Sequence, residues 1–197
     1  MSDNQPIDAG TVDELLSALG EQLALREEPY SIVVVGGSAL LALGLISRPT
    51  RDIDVVALLD DESLVSAKPL PEGLLQAAGI VAADFGLPQD WLNDGPAALT
   101  DFGLPDGFLE RAVRRDYGKA LHVRFASRED QIHFKLYAVV DQGAGRHLTD
   151  LEALAPTESE LVLAARWTRT HDASEGFREV LLNVLDHLGV SDGSGQV

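Results

Sequence analysis

Apolar positions along the chain recur with two periods, and the switches between them mark its elements. Val12, Leu15, Leu16, Leu19 and Leu23 fall three and four apart, which predicts an amphipathic first helix entered through a Thr11–Glu14 capping box. The β-branched run Ser31 to Val35 predicts a buried strand. A short helix from Ser38 to Leu45 follows and stops at "SRPT", because Pro49 disfavours helical backbone at Arg48. Ile53 to Leu59 predicts the next strand, Asp60 to Pro71 a loop, and Glu72 to Phe85 a helix. "GLPQDWLNDGPAAL" and "DFGLPDGF" then break all periodicity, and irregular segments of this kind are expected to border a site. Lys119 to Ala126 alternates as a strand, and Ser127 caps a helix from Arg128 to about Val140. Thr149 or Asp150 opens a short helix, Thr157 with Glu160 opens another to about Thr170, and Ser174 to Leu188 forms the last. "GVSDGSGQV" reads as a frayed tail. This order predicts a small α/β core (residues 1–155, with the N-terminal helix), a C-terminal helical extension (156–190) and a flexible tail (191–197).

Composition narrows the function classes. A chain of 197 residues with 45% apolar content and mean hydropathy near zero is long enough to bury one sizeable core. Its net charge of -17 excludes a broad, sequence-independent grip on nucleic acid. The basic residues are uneven, however: Asp52 to Glu110 holds only Lys68, whereas Arg111 to Arg146 holds eight of the fifteen against four acids. An anionic substrate can therefore be met locally, although a solvated mixed-charge surface explains most such residues equally well. No cysteine is present, which removes disulfides and thiolate metal sites, and the five histidines lack zinc-ligand spacing. The acidic start "MSDNQPIDAG" is unlike a secretory signal, and the apolar run Ser31 to Ile46 is short and interrupted by three glycines. A cytoplasmic location is the expectation.

Two short patterns carry candidate chemistry. Gly36-Gly37-Ser38 sits where the first strand enters a helix, so backbone can approach a bulky anion and helix N–H groups can meet phosphate oxygens. It is neither a dinucleotide fingerprint nor a Walker A loop, since the third glycine and the Lys-Ser/Thr step are missing. Alone, such a turn is most often just a tight junction. Asp52 and Asp54 lie two apart on a strand, which puts both carboxylates on one face. Like charges so placed are unfavourable unless a cation joins them, and hard carboxylate oxygens suit Mg²⁺. An isolated Asp-x-Asp would otherwise be two solvated acids. Lys135 shares a helical stripe with Ile132, Leu136 and Val139, so it either snorkels to the rim or meets an anionic partner. Asp150 could cap the helix after it. Arg48 and Arg51 flank the acids, while Asn93 and Trp91 lie in the irregular segment, where Trp91 is most often core.

Thirteen residues, Ala39 to Arg51, separate the two halves, and at that spacing the pair resembles the DNA polymerase β-like nucleotidyltransferase superfamily. "VVVGGSALLALGL" followed by "RPTRDIDV" is most similar to the bacterial AbiEii-like toxin-type nucleotidyltransferases. "IHFKLYAVV" and "GRHLTDLEAL" extend the resemblance over roughly Ser31 to Trp167. The resemblance implies a small mixed sheet flanked by helices, and transfer of NMP from an NTP to an acceptor with Mg²⁺ or Mn²⁺. It implies that Gly36, Gly37 and Ser38 hold the phosphates, that Arg48, Arg51 and Asn93 contact nucleotide, and that Asp52 and Asp54 hold metal. Lys135 would neutralise charge on the transferring group, and Asp150 would complete the site or pair with Lys135. The acceptor could be tRNA, a protein hydroxyl or a small molecule, with a cognate antitoxin or regulatory protein as partner. One departure stands out: superfamily members often carry a third carboxylate on a later strand, and "KALHVRFAS" has none. That leaves a non-catalytic binding or regulatory protein as the alternative.

Overall fold

In the computed structural model, which describes residues 6–61 and 63–190, the chain divides between Ala126 and Ser127 into two units. The first is built on one mixed sheet. Its strands are β1 (Tyr30–Val35), β2 (Ile53–Asp60), β3 (Ser63–Ser66), β4 (Leu92–Asn93), β5 (Val113–Tyr117) and β6 (Leu121–Phe125). They are ordered β3-β2-β1-β6-β5, with β4 beside the start of β2. β1 runs antiparallel to β2 and parallel to β6. The helices of this unit are α1 (Ala9–Arg26), α2 (Gly36–Ala42), α3 (Glu72–Phe85) and the single turn α4 (Phe108–Arg111), with a 3₁₀ stretch at Gly95–Phe102.

Alternation decides which sheet side chains join the main core, although Val33, Val35 and Val56 on β1 and β2 are buried as well. Ile32, Val34, Ile53, Val55, Leu121, Val123 and Phe125 are fully buried and join the α1 stripe and the α3 residues Leu74, Ala77 and Val81 in one core. All five apolar positions expected on α1 are in that core. Its cap differs from expectation: Asp8, not Thr11, is the N-cap, and its carboxylate accepts the Thr11 N–H at 2.9 Å. The helix therefore starts earlier, and Thr11 lies within its first turn.

Three strands escaped the periodicity: the two-residue β4 inside the irregular segment, β3 and β5. The expected loop from Asp60 contains β3, paired with Ala57–Asp60 in a tight hairpin. All four β3 residues are exposed, so no apolar alternation announces the strand. β5 lay hidden in the basic segment because its one inward cation is dressed. Arg115 lies 5.5 Å from the Phe125 ring centroid, pairs with Asp13 of α1, and donates to the Ala42 carbonyl at 2.6 Å. It thereby ties down the C-terminal end of α2. Tyr117 donates to Asp13 as well, and burial together with that carboxylate pushes its phenol well above the usual range.

The second unit is helical: α5 (Arg128–Gln142), α6 (Arg146–Ala153), α7 (Glu158–His171) and α8 (Glu175–His187). Ser127 caps α5 as expected, and Thr157 with Glu160 forms the full capping box of α7. Arg128 reaches from α5 to the Leu154 carbonyl at 3.0 Å and to Glu160. That guanidinium, aided by the Thr157 donors, lowers the Glu160 carboxyl to about 2. A small mixed sheet flanked by helices and followed by C-terminal helices is thus the architecture. Among the described residues no helix is long and apolar enough to cross a membrane. The tail expected from Gly189 onward lies almost wholly outside the described residues.

The α1–sheet contact is close enough to test. A Cβ on the buried Gly20 would lie 2.2 Å from the Tyr117 carbonyl oxygen, a backbone atom that cannot step aside cheaply. Alanine should gain up to about 1 kcal/mol in helix propensity, yet overpacking of this kind costs roughly 1–3 kcal/mol. Gly20→Ala should therefore lower the unfolding free energy in urea, and an unchanged or raised midpoint would contradict the packing.

Candidate active site

β1 stops at Val35 because the next residue leaves the extended region: Gly36 has φ of +74°, which L side chains rarely adopt. There is also no room for one. A Cβ at Gly36 would lie 2.6 Å from Oδ2 of Asp54. The carboxylate is brought there by strand register, since Asp54 of β2 is paired with Val35, the last residue of β1. A bulge makes that register. Val33 pairs with Ala57 but Val34 pairs with Val55, so Val56 is an extra residue in β2. Without it Val55 would stand opposite Val35; with it, Asp54 does.

The remaining neighbours assemble around this junction. On the other edge of β2, β4 sets Asn93 beside Asp54, and the Ile53 N–H donates to the Trp91 carbonyl. Trp91 is core: it is fully buried and its indole N–H donates to the Ala78 carbonyl at 2.9 Å. It anchors the irregular segment, which does border the acids as expected. The Asn93 carboxamide oxygen accepts the Gly95 N–H at 2.8 Å, leaving its NH₂ as the donor end. Ile53 and Val55 are fully buried, whereas Asp52 and Asp54 on the opposite side are half-buried. A Cβ at Gly37 would meet Thr50 Oγ1 at 3.0 Å and Arg48 Nη2 at 3.8 Å. Arg48 thus lies over the glycine turn, and its Nη1 also donates to the Pro49 carbonyl. Arg51 is exposed and makes no ion pair with either acid among the described residues. Ser38 is fully buried and donates to the Val35 carbonyl at 3.4 Å, so its hydroxyl braces the turn.

In the second unit Lys135 and Asp150 meet each other. Nζ lies 2.7 Å from Asp150 Oδ2, and both side chains are almost completely enclosed. The lysine does not snorkel. Nor does Asp150 cap a helix: α6 begins at Arg146, which places Asp150 mid-helix with its carboxylate turned into the interior.

A family model described as a nucleotidyltransferase of unknown function (DUF6036) matches residues 12–152. That span runs from the first turn of α1 to the end of α6 and includes every candidate site residue named in this subsection. The chain belongs to this family. Searches among curated proteins and among solved structures found no match. Closeness to the AbiEii-like group therefore rests on the sequence likeness alone.

In this nucleotidyltransferase-family chain the acids can be weighed as cation ligands. Among the described residues no group of three acids or histidines surrounds a common point. Mg²⁺ does not require one, since it keeps several waters and commonly takes only one or two carboxylates, with phosphate oxygens completing the shell. Two carboxylates two residues apart in the chain, one of them against the glycine turn, fit that demand. Thr50, which sequence reasoning passed over, belongs to the same cluster: its hydroxyl donates to Asp52 Oδ1 at 3.3 Å. The "RPTRDID" string carried the signal, a hydroxyl residue two before the first acid.

The buried ion pair makes a sharp expectation. Removing one partner takes the opposite charge away from the other inside an enclosed site, which typically costs about 3–5 kcal/mol. Lys135→Met should lose stability on that scale in urea unfolding, and adding Asp150→Asn should restore much of it. A single variant as stable as wild type would contradict the pairing.

Proposed function

We propose that this chain is a catalytically competent nucleotidyltransferase that uses Mg²⁺ or Mn²⁺ to transfer NMP from an NTP to a hydroxyl acceptor, releasing pyrophosphate. The observation that carries the reading is the fit of Asp54 into the space a Gly36 side chain would occupy, which sets one acid of the Asp-x-Asp step against the glycine turn in fixed register. Gly36 and Gly37 let backbone N–H groups approach the β- and γ-phosphates, and Arg48 beside them offsets phosphate charge. Ser38 keeps the turn shaped. Asn93 offers its NH₂ to the nucleotide, and Arg51 stays at the exposed rim for the same purpose. Asp52 and Asp54 would hold the metal, which when bound supplies positive charge to the triphosphate. The acceptor oxygen forms a bond to the α-phosphorus as the bond to the bridging β-phosphate oxygen breaks, and the hydroxyl proton passes to one carboxylate of the pair. Lys135 and Asp150 are assigned to charge stabilisation during transfer on the likeness of their segments alone.

A tRNA end, a protein hydroxyl and a small molecule all present the required nucleophile. A toxin-like role with a cognate antitoxin rests on the AbiEii-like likeness and depends on which acceptor is found. Against a purely binding role stands the carboxylate pair: two like charges held side by side are a liability that a retired site has no physical reason to keep.

Incubation with each labelled NTP, Mg²⁺ and total cell extract should label an acceptor. Asp52→Asn with Asp54→Asn should abolish labelling and the melting-temperature rise that Mg²⁺ and NTP produce by mass action. The unliganded double variant should melt no lower than wild type, because repulsion is relieved. Labelling that survives the double substitution, or a wild-type chain inert towards all four NTPs, would sink the reading.

A further inference from the structure

Thr50 stands between the two halves of the site. Its hydroxyl donates to Asp52 Oδ1 at 3.3 Å, while its Oγ1 and Cβ lie 3.0 and 3.2 Å from where a Gly37 Cβ would be. One side chain thus touches the phosphate turn and one of the acids together. Its own freedom is small. Ile7 and Thr50 exchange two backbone hydrogen bonds of 2.9 Å each, Ile7 is fully buried, and Thr50 is only 7% exposed. A β-branched side chain on a backbone so fixed has few rotamers left.

Asp52, by contrast, lies just before β2 and is half-buried. We propose that Thr50 is a positioning residue for the cation: it holds the Asp52 carboxylate in place before the metal arrives and sets its spacing from the Gly36-Gly37 turn. The proposal rests on the metal-dependent reading above. It also gives the bridge at Ile7 a function, because that bridge fixes the threonine that fixes the acid.

The test is Mn²⁺ binding to the full-length protein without nucleotide, followed by the electron paramagnetic resonance signal of free Mn²⁺. Thr50→Val keeps the shape and removes the donor; Thr50→Ser keeps the donor and removes a methyl group. Loss of a hydrogen-bond partner behind a metal ligand typically weakens affinity roughly 10–100-fold, and Thr50→Val should fall in that range while Thr50→Ser stays within about threefold of wild type. Should Thr50→Val fail to fold, Thr50→Ala takes its place under the same expectations. Valine binding as tightly as wild type, or serine as weakly as valine, overturns the assignment to Thr50. Asp52→Asn separates the two levels: if it binds Mn²⁺ like wild type, the cation site itself is wrong and the role of Thr50 goes with it.

Discussion

The site depends on a steric exclusion. Gly36 can have no side chain because the Asp54 carboxylate stands where its Cβ would be, and its backbone occupies a region that only glycine enters freely. Substitution at that position would have to displace the acid or unwind the turn. The exclusion is produced at a distance from itself: the bulge at Val56 selects which β2 residue faces the end of β1. A bulge loosens a strand pair locally, and here the loss is confined to one residue within an otherwise fully buried sheet centre. Several elements then converge on the same point from different directions, namely the end of β1, the start of β2, the short β4 and the Thr50 bridge to Ile7.

The sequence disclosed the parts of this arrangement that depend on apolar period. The α1 stripe, the β1 run, α3, the capped starts of α5 and α7, and the strand after Asp52 all follow from which side chains must leave water. β3 and β5 were invisible for the complementary reason: an edge strand whose side chains remain solvated or salt-bridged has no apolar alternation to read. The Gly-Gly and Asp-x-Asp halves could be paired by spacing, but spacing does not reveal a bulge. Nor could it show that Ser38 turns back on Val35 or that Asn93 comes alongside Asp54, since both depend on long-range pairing. For Asp150 the sequence leaves a helix cap and a pairing with Lys135 both open; the helix begins four residues earlier, and the carboxylate is buried against Lys135.

Charge is placed in the chain with the same economy. At -17 overall the protein repels polyanions, yet Arg48 lies directly over the glycine turn, where one guanidinium acts at short range and long-range repulsion is screened by salt. In the second unit the only enclosed lysine among the described residues is matched to an enclosed aspartate, an arrangement whose Coulombic gain is largely offset by desolvation.

The central claim is that the glycine turn and the acid pair form one site for a metal-bound triphosphate. It is tested most directly by anomalous diffraction from crystals grown with Mn²⁺ and a non-hydrolysable NTP analogue. The account predicts a manganese peak coordinated by Asp52 and Asp54, with the phosphates lying against Gly36 and Gly37. Nucleotide bound elsewhere, or manganese seated away from both carboxylates, would contradict it.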